Sequence, residues 1–447
     1  MTYLITARGG ATVSFPLRQT SKTQLSFYHT ARSTTPLLVG SPIVALPRAT
    51  YLRSTRKIRG QSSCALAFRS HSSRSLPPAQ QASYARLRPV IDTFEAPIDW
   101  AVAYGSGVIK QAERKEGDPP PLTDFLLSTP SAVDFHSVNL RQNPSHYPLY
   151  ARLMGGEGVA WAQENFGAGV WYVTMVNVNG LDVKYGVISS STLQADLEEW
   201  TTFYLSGRLH KPVLPLLLSP SATSLGRALE SNLHSALCVS LILSSPSFTE
   251  DELWETIAGL SYSGDPRMSV PGAENPEKVK NIVKGKGARQ GFREMYGPFL
   301  KPLGLRWENE EKEWDVDSEW VWRGEGEEVI LQPDTPEHAA ALATHMPINL
   351  KRAVAKHYSP LQNNLGTARE NEYWFEPVQD WTFTSAVSEE LRRIIGRPAL
   401  RQSVKGLFTA GPIKSFYYSL AKVRKWLSGR KQILPPSHKL KNQDGKQ

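Results

Sequence analysis

Carboxylates are missing from the start of this 447-residue chain: the first is Asp92, preceded by 13 Lys and Arg and no Asp or Glu. That block is rich in Ser, Thr and Arg and has no long apolar centre, which suits an organellar presequence and excludes a secretory signal. We expect a disordered presequence, mitochondrial or plastid, over 1–85 and a folded start near Val90. Cysteine is almost absent as well. With Cys64 in the leader, only Cys238 remains, so an internal disulfide and a Cys-x-x-Cys zinc site are both excluded. No apolar run approaches the roughly 18 residues needed to span a bilayer. A Walker A loop is missing too, because Gly285-Lys286-Gly287-Ala288-Arg289 lacks the required spacing. Tyr104 stands where a hydrolase nucleophile elbow needs glycine. His136 and His146 have no further His or Cys nearby, so they read as structural histidines and not as zinc ligands.

What the chain does contain is segregated charge. Residues 391–447 hold 14 Lys and Arg against one acid, Asp444, whereas 92–390 hold 24 bases and 41 acids, a net of −17. An acidic body is a poor partner for nucleic acid, whose phosphates need a basic surface. Within the basic end, Ile413, Phe416, Tyr417, Leu420, Val423 and Leu427 form one helical stripe bordered by Lys414, Lys422, Arg424 and Lys425. This reads as an amphipathic helix lying on a membrane surface.

The pattern of the body predicts an α+β protein. Ala101–Val108 reads as strand, glycine turn and helix start; Glu113–Pro121 is a loop; Leu122–Leu127 is a strand; His136–Asn143 is a helix. Asn179-Gly180 between two alternating runs predicts a type I′ hairpin. In that register Val178 faces Leu181, Asn177 faces Asp182 and Met175 faces Lys184. Lys184 and Asp182 then share the sheet face opposite Val183, Tyr185 and Val187. A helix is expected over Leu193–Leu209, ended by Gly207 and Pro212. Further helices are expected at about 225–243 and 250–262, the latter opened by a Thr249/Glu252 capping box. These assign 90–220 to a mixed-sheet domain and 221–303 to a helical one. The acid- and Trp-dense 304–395 is expected to be an irregular insertion with a short hairpin, followed by the basic 396–447.

Ala103-Tyr104-Gly105-Ser106-Gly107-Val108 carries the chemistry. A Gly-Ser turn at a helix start lets backbone amides approach phosphate oxygens, with the hydroxyl as a further donor. Asp124, 18 residues beyond Ser106 in the apolar run Leu122–Leu127, is placed to hold a divalent cation that neutralises a triphosphate. Together they point to nucleotidyl transfer. A second carboxylate two residues on would strengthen that assignment, but Leu126 occupies the position. Asp182 is a geometrical candidate for the partner acid.

The Gly-Ser segment, Asn143-Pro144-Ser145-His146-Tyr147, Val183-Lys184-Tyr185-Gly186-Val187-Ile188-Ser189 and Tyr204-Leu205-Ser206-Gly207-Arg208-Leu209-His210-Lys211-Pro212-Val213 follow one another in order. So do Gly259-Leu260-Ser261-Tyr262-Ser263-Gly264-Asp265-Pro266-Arg267-Met268, Lys278-Val279-Lys280-Asn281-Ile282-Val283 and Arg401-Gln402-Ser403-Val404-Lys405-Gly406-Leu407-Phe408-Thr409-Ala410-Gly411. This series resembles the mitochondrial phosphatidate cytidylyltransferase family, also called the translocator assembly and maintenance proteins. The sequence departs from the family where Pro266 replaces an aromatic residue and Ser206 an alanine; neither removes a charge.

The resemblance implies a nucleotidyltransferase-like domain followed by a winged-helix-like helical domain. It implies that CTP and phosphatidic acid are joined into CDP-diacylglycerol and pyrophosphate, for cardiolipin synthesis, by a peripheral protein on the matrix side of the inner membrane. Gly105, Ser106, Lys184 and Arg208 would bind the nucleotide. Asp124 would bind Mg2+, with Asp124, Lys184 and Asp265 as the catalytic groups. Arg267 and Lys280 would meet the lipid phosphate, with Lys211 a further candidate. A non-catalytic factor supporting translocase assembly is the alternative, and a nucleotidyltransferase acting on RNA is disfavoured by the acidic body. Oligomeric state is open.

Overall fold

The computed structural model describes residues 78–105, 108, 122–218, 223–265, 277–285, 287–310, 319–358, 365–367 and 369–409. The expected presequence up to residue 77, the expected loop 113–121, Ser106, Arg267 and the expected amphipathic run 413–427 lie outside the described residues.

The first described element is helix α1 (Pro78–Asp92). The folded part therefore starts earlier than Val90, and 78–85 is helical, not disordered. The reason is spacing: Leu87, Val90 and Ile91 fall on one face and are buried under the sheet. Strand β1 (Trp100–Tyr104) and β2 (Thr123–Thr129) follow, then α2 (Ala132–Gln142) and α3 (Leu149–Asn165). Helix α2 begins a turn before the expected His136 because Ser131 caps it, accepting the Asp134 amide at 3.2 Å. Next come β3 (Val170–Val178), β4 (Leu181–Ser189), α4 (Ser190–Glu199) and β5 (Leu214–Leu217).

The five strands form one mixed sheet in the order β3-β4-β2-β1-β5. Only the β2–β4 pair is parallel; α2, α3 and β3 make the crossover between them. Alternation along the strands gives the sheet two buried faces. Phe125, Leu127, Val183, Tyr185 and Val187 point to the α1–α3 side. Trp100, Val102, Leu126, Tyr172 and Ile188 point to the helical side, where Asp124 and Lys184 also lie by parity. The hairpin forms as expected, with Val178 opposite Leu181 and Asn177 opposite Asp182. The Met175–Lys184 pairing does not occur. A bulge between Val173 and Val176 sets Thr174 and Met175 together against Lys184, with Met175 in the left-handed region (φ 56°).

The helical side contains α5 (Ser224–Leu243), β6 (Ser247–Thr249), α6 (Glu250–Leu260), α7 (Lys278–Val283) and α8 (Ala288–Leu300). The Thr249/Glu252 capping box is present in both directions, at 2.8 and 3.2 Å. Strands β7 (Arg306–Trp307) and β8 (Val329–Leu331) complete a second sheet in the order β6-β8-β7. Among the described residues, the stretch from 336 to 395 is mainly helical instead of irregular. It holds α9 (Pro336–Ala343), α10 (Ile348–Ala355), α11 (Glu370–Trp374) and the start of α12 (Phe383–Thr409), which crosses the expected boundary at 395. Its apolar residues, among them Leu350, Val354, Trp374 and Val387, join the same core as the sheet face.

A second departure sets the position of the site. The helix expected over Leu193–Leu209 stops at Glu199, and Trp200 (φ 53°) and Phe203 (φ 55°) turn the chain through left-handed conformations. The cause is Asp196, which is buried. Its Oδ1 accepts from the amides of Thr202 (2.7 Å) and Phe203 (2.9 Å) and from the Thr201 and Thr202 hydroxyls. Its Oδ2 accepts from the amides of Leu205 and Ser206 (both 3.0 Å) and from the Ser206 hydroxyl. These bonds take the donors that a continuing helix would use. Asn232 of α5 clamps the loop from outside: its Oδ1 accepts from Trp200 Nε1 and His210 Nε2, and its Nδ2 donates to Ser206 O. The loop ends in a 3-10 turn, Ser206–Arg208.

At the far end of the sheet, α12 docks through Gln402 and Lys405. Gln402 accepts the Ala168 amide and donates to Val170 O, while Lys405 Nζ donates to Gln163 O (3.0 Å) and Phe166 O (2.8 Å), carbonyls at the end of α3. Burial pushes the Lys405 pKa down to about 7, against a raising influence from Glu164.

Two outcomes follow for stability. Asp196→Ala should lower the unfolding free energy in urea by roughly 3–5 kcal/mol, since it strands several buried amides at once. Asp196→Asn should also destabilise, because its amide group presents donors where donors already point. For Lys405 the unfolded chain keeps its proton up to about 10.5 while the folded chain sheds it near 7. The folded state therefore gains stability as pH rises between these values. The stability difference between the parent and Lys405→Met should widen in the parent's favour from pH 7 to 9, and stay flat below pH 6.

Candidate active site

Three neighbouring strands place three polar side chains in one row. Tyr104, the last residue of β1, pairs with Asp124 at the start of β2, and Asp124 pairs with Lys184 of β4 across the parallel ladder. Lys184 Nζ lies 3.1 Å from Asp124 Oδ1, with both side chains about three-quarters buried. Gly105 follows Tyr104 with φ +82°, a conformation that L side chains rarely adopt. A Cβ at Gly105 would sit 3.4 Å from Asp124 Oδ2, so the glycine keeps that carboxylate oxygen approachable from the turn.

Aromatic rings surround the row. Lys184 Nζ lies over the Tyr172 ring at 4.8 Å, and Tyr172 packs against Gly186, where a Cβ would come within 2.7 Å of it. The loop organised by Asp196 brings in Arg208, whose guanidinium stacks on Tyr204 at 3.8 Å and also bonds the Tyr204 carbonyl. Tyr172 and Tyr204 meet edge to face, with centroids 6.5 Å apart. Beyond Arg208, Lys211 donates to Ser261 Oγ at 2.8 Å. Lys211 and Lys278 each place an ammonium 5.3 Å from the Tyr262 ring.

The electrostatics follow from this crowding. Burial raises the Tyr104 pKa, and the Asp124 charge raises it further, so this hydroxyl stays a donor. Tyr172 is raised in the same way, by burial and then by Tyr104. Burial works against the charge of Arg208, yet Tyr204, Tyr172, Tyr104 and Tyr262 around it outweigh burial and hold it protonated. Lys211 is pushed well below the ordinary lysine value by burial, then by Arg208 and Lys278. The result is one carboxylate facing a set of cations on a buried, aromatic floor. Such a site attracts a polyanion and binds it in a medium where charge counts for more than in water.

Gly105, Asp124, Lys184 and Arg208 are therefore brought together. Asp265 is buried beyond α6, its amide bonded to Tyr262 O at 3.2 Å, on the turn that also carries Tyr262. Lys280 is exposed on α7 and paired with Glu277 at 3.6 Å; its neighbour Lys278 is the α7 lysine that reaches the Tyr262 ring. Asp182 is exposed at the turn end of the hairpin and accepts from Asn177 Nδ2. His136 and His146 belong to a buried network on the other sheet face. His136 bonds Tyr147 and Gln163, His146 bonds Tyr185, and burial pushes His136 down to about 4, so it is neutral.

Sequence reasoning passed over the four tyrosines and Lys278. For Tyr172 the unbroken hairpin register pointed the other way, to Val187; the bulge is what sets it opposite Gly186 on the Lys184 face. For Tyr204 and Tyr262 there was no signal, since only the loop geometry points them inward.

Among the described residues no group of three or more His, Cys, Asp or Glu could hold a metal by itself. Magnesium needs less: one or two carboxylates suffice when substrate phosphates and water supply the other ligands. Asp124, whose Oδ2 lies toward the Gly105 turn, fits a cation that arrives with a triphosphate.

Comparison with known proteins shows the family. Residues 87–425 match the family model described as "Phosphatidate cytidylyltransferase, mitochondrial". The Schizosaccharomyces pombe protein of that name is 36% identical over 351 residues, covering 76% of this chain and 83% of the relative. The Xenopus laevis protein is 34% identical, covering 79% and 97%, and the Homo sapiens protein 35%, covering 75% and 69%. The chain belongs to the mitochondrial phosphatidate cytidylyltransferase family.

Proposed function

We propose that this protein transfers CMP from CTP to phosphatidic acid, forming CDP-diacylglycerol and pyrophosphate for cardiolipin synthesis on the matrix side of the mitochondrial inner membrane. The observation that carries the reading is the Tyr104–Asp124–Lys184 row beside the Gly105 turn. It sets a single carboxylate among cations at the point where a phosphate chain can approach the backbone. The acid-free leader and the mitochondrial names of the relatives support the location. Among the described residues no helix is long and apolar enough to cross a membrane, which is compatible with peripheral attachment. The mixed sheet with its parallel β2–β4 pair supports a nucleotidyltransferase-like assignment. The small β6-β8-β7 sheet beside α6 and α8 supports a winged-helix-like one.

In the reaction a phosphate oxygen of phosphatidic acid bonds to the α-phosphorus of CTP as the bond to the bridging oxygen breaks. Pyrophosphate leaves, and no covalent enzyme intermediate is needed. Gly105 lets the backbone approach the phosphates, and the Ser106 hydroxyl would add a donor. Lys184, which balances Asp124 in the free protein, turns its charge to the incoming triphosphate. Arg208, held planar against Tyr204, presents a fixed fork of donors to phosphate oxygens and to the charge of the leaving pyrophosphate. Mg2+, when bound at Asp124, would neutralise the triphosphate and stabilise that leaving group. Asp265 is assigned as the third catalytic group, and Arg267 and Lys280 to the lipid-phosphate end of the site, with Lys278 a more direct candidate than Lys280.

The test uses purified protein, labelled CTP, Mg2+ and phosphatidate vesicles. The parent should form lipid-linked CMP; Asp124→Ala and Lys184→Ala should each lower the rate by roughly 10²–10³-fold with unfolding midpoints kept. Chelating the magnesium should abolish turnover. Arg208→Lys should raise the KM for CTP about tenfold, since lysine cannot reproduce the stacked fork. No lipid-linked product from a folded, vesicle-bound parent would overturn the assignment.

A further inference from the structure

Of the fourteen exposed large apolar side chains among the described residues, nine lie on α3, on Phe166 just after it, or on the last part of α12. Scattered exposure of single apolar residues is ordinary, but concentration on two touching elements is not. On α12, Leu400, Val404 and Phe408 recur at intervals of four and form one stripe. On the α3 side, Leu153, Trp161 and Phe166 are the counterparts, and the six side chains are 48–81% exposed.

Two side chains join the halves into one surface. Tyr150 Oη donates to Phe408 O at 2.8 Å, and Lys405 Nζ bonds the carbonyls of Gln163 and Phe166. Within the α3 half, the Trp161 and Phe166 rings meet edge to face at 5.3 Å. Helix α3 reaches α12 near both its ends because it is bent at Gly155 (φ 70°, ψ 179°). The rim is basic where α12 supplies it: residues 391–409 contain five Lys and Arg and no acid, with Arg397 and Arg401 exposed beside the stripe. On α3, Glu164 is engaged by the Thr192 hydroxyl at 2.7 Å.

We infer that this α3–α12 face seats directly against an anionic lipid bilayer, as a lipid-contact surface additional to the amphipathic run 413–427. The inference rests on the membrane-bound reading above and adds the orientation of the folded body. Charge argues for lipid as the occupant over the chain's own tail. The 413–427 stripe is bordered by Lys414, Lys422, Arg424 and Lys425, so folding it onto a face rimmed by Arg397 and Arg401 would bring like charges together. Anionic headgroups satisfy both sets at once, and α12 ends four residues before the run begins, so the two surfaces are continuous along the chain. Aromatic rings at such a face suit the headgroup boundary.

The experiment uses the full chain with Cys64→Ser, the remaining Cys238 being buried, and Val404→Cys carrying an environment-sensitive fluorophore. Vesicles of phosphatidylcholine with phosphatidate should shift its emission to the blue, and pure phosphatidylcholine vesicles should not. No shift overturns the proposal. So does a probe already shielded without lipid, which means that residues 410–447 or a second copy cover the face. In parallel, Leu153→Glu with Phe408→Glu should lower the vesicle-bound fraction about tenfold, as expected when apolar contacts with the interface are replaced by charge. Turnover of dispersed short-chain phosphatidate and the unfolding midpoint should match the parent. Binding equal to the parent's sinks the idea. Absence of CMP transfer to either form of lipid counts against the functional reading alone, because the fluorophore still reports whether the face meets lipid.

Discussion

The buried carboxylate of Asp196 is the interaction on which the rest of the site depends. A charge removed from water is stable only when donors surround it, and here four backbone amides and three hydroxyls do so. Satisfying Asp196 forces the chain out of its helix and through two left-handed residues into a short turn. That turn fixes Arg208 over the row of Tyr104, Asp124 and Lys184. Asn232 does the complementary work from α5, tying the same loop to the helical core by its amide oxygen and nitrogen. Sheet and helices thus meet at a polar joint, and Arg208 is mounted on it.

Much of the sheet was legible in the sequence because strand alternation is a local signal. Asn179-Gly180 fixed the hairpin turn, and the parity of Asp182, Lys184 and Gly186 followed from it. Gly105 and Asp124 stand out because a glycine turn and an acid in an apolar run are chemically unusual, and the structure places them side by side. The failures have equally specific causes. Leu193, Leu197, Trp200 and Tyr204 keep helical spacing, so nothing local shows that Asp196 will draw the later amides away. The bulge at Thr174 and Met175 carries no glycine or proline to mark it. In 304–395 the density of acids and tryptophans reads as surface loop. In fact Trp307, Trp320 and Trp322 pack on one another beside Trp254, and the helices after Thr335 bury their apolar faces in the shared core.

The acidic balance of the body and the cationic character of the site are compatible because the charges occupy different places. Lys184, which pairs with Asp124, and Arg208 lie against tyrosine rings in a partly buried recess, where attraction to a polyanion is screened least. The surplus acids are largely outside that recess. An overall count of charge would describe the chain as basic, and a count over the body would describe it as acidic. Neither describes the small volume in which a triphosphate would be held.

The parallel pairing of β2 with β4 has a consequence for how the protein comes to life. Asp124 and Lys184 touch in space but are 60 residues apart in the chain, and α2, α3 and β3 must all be in place before they meet. Contacts of that separation are slow to form, because the entropy of closing the intervening loop is spent before the contact returns anything. A partly folded chain can have its hairpin and its helices and still lack any assembled site. Catalytic competence is therefore a late event in folding, and an unfinished molecule is chemically silent.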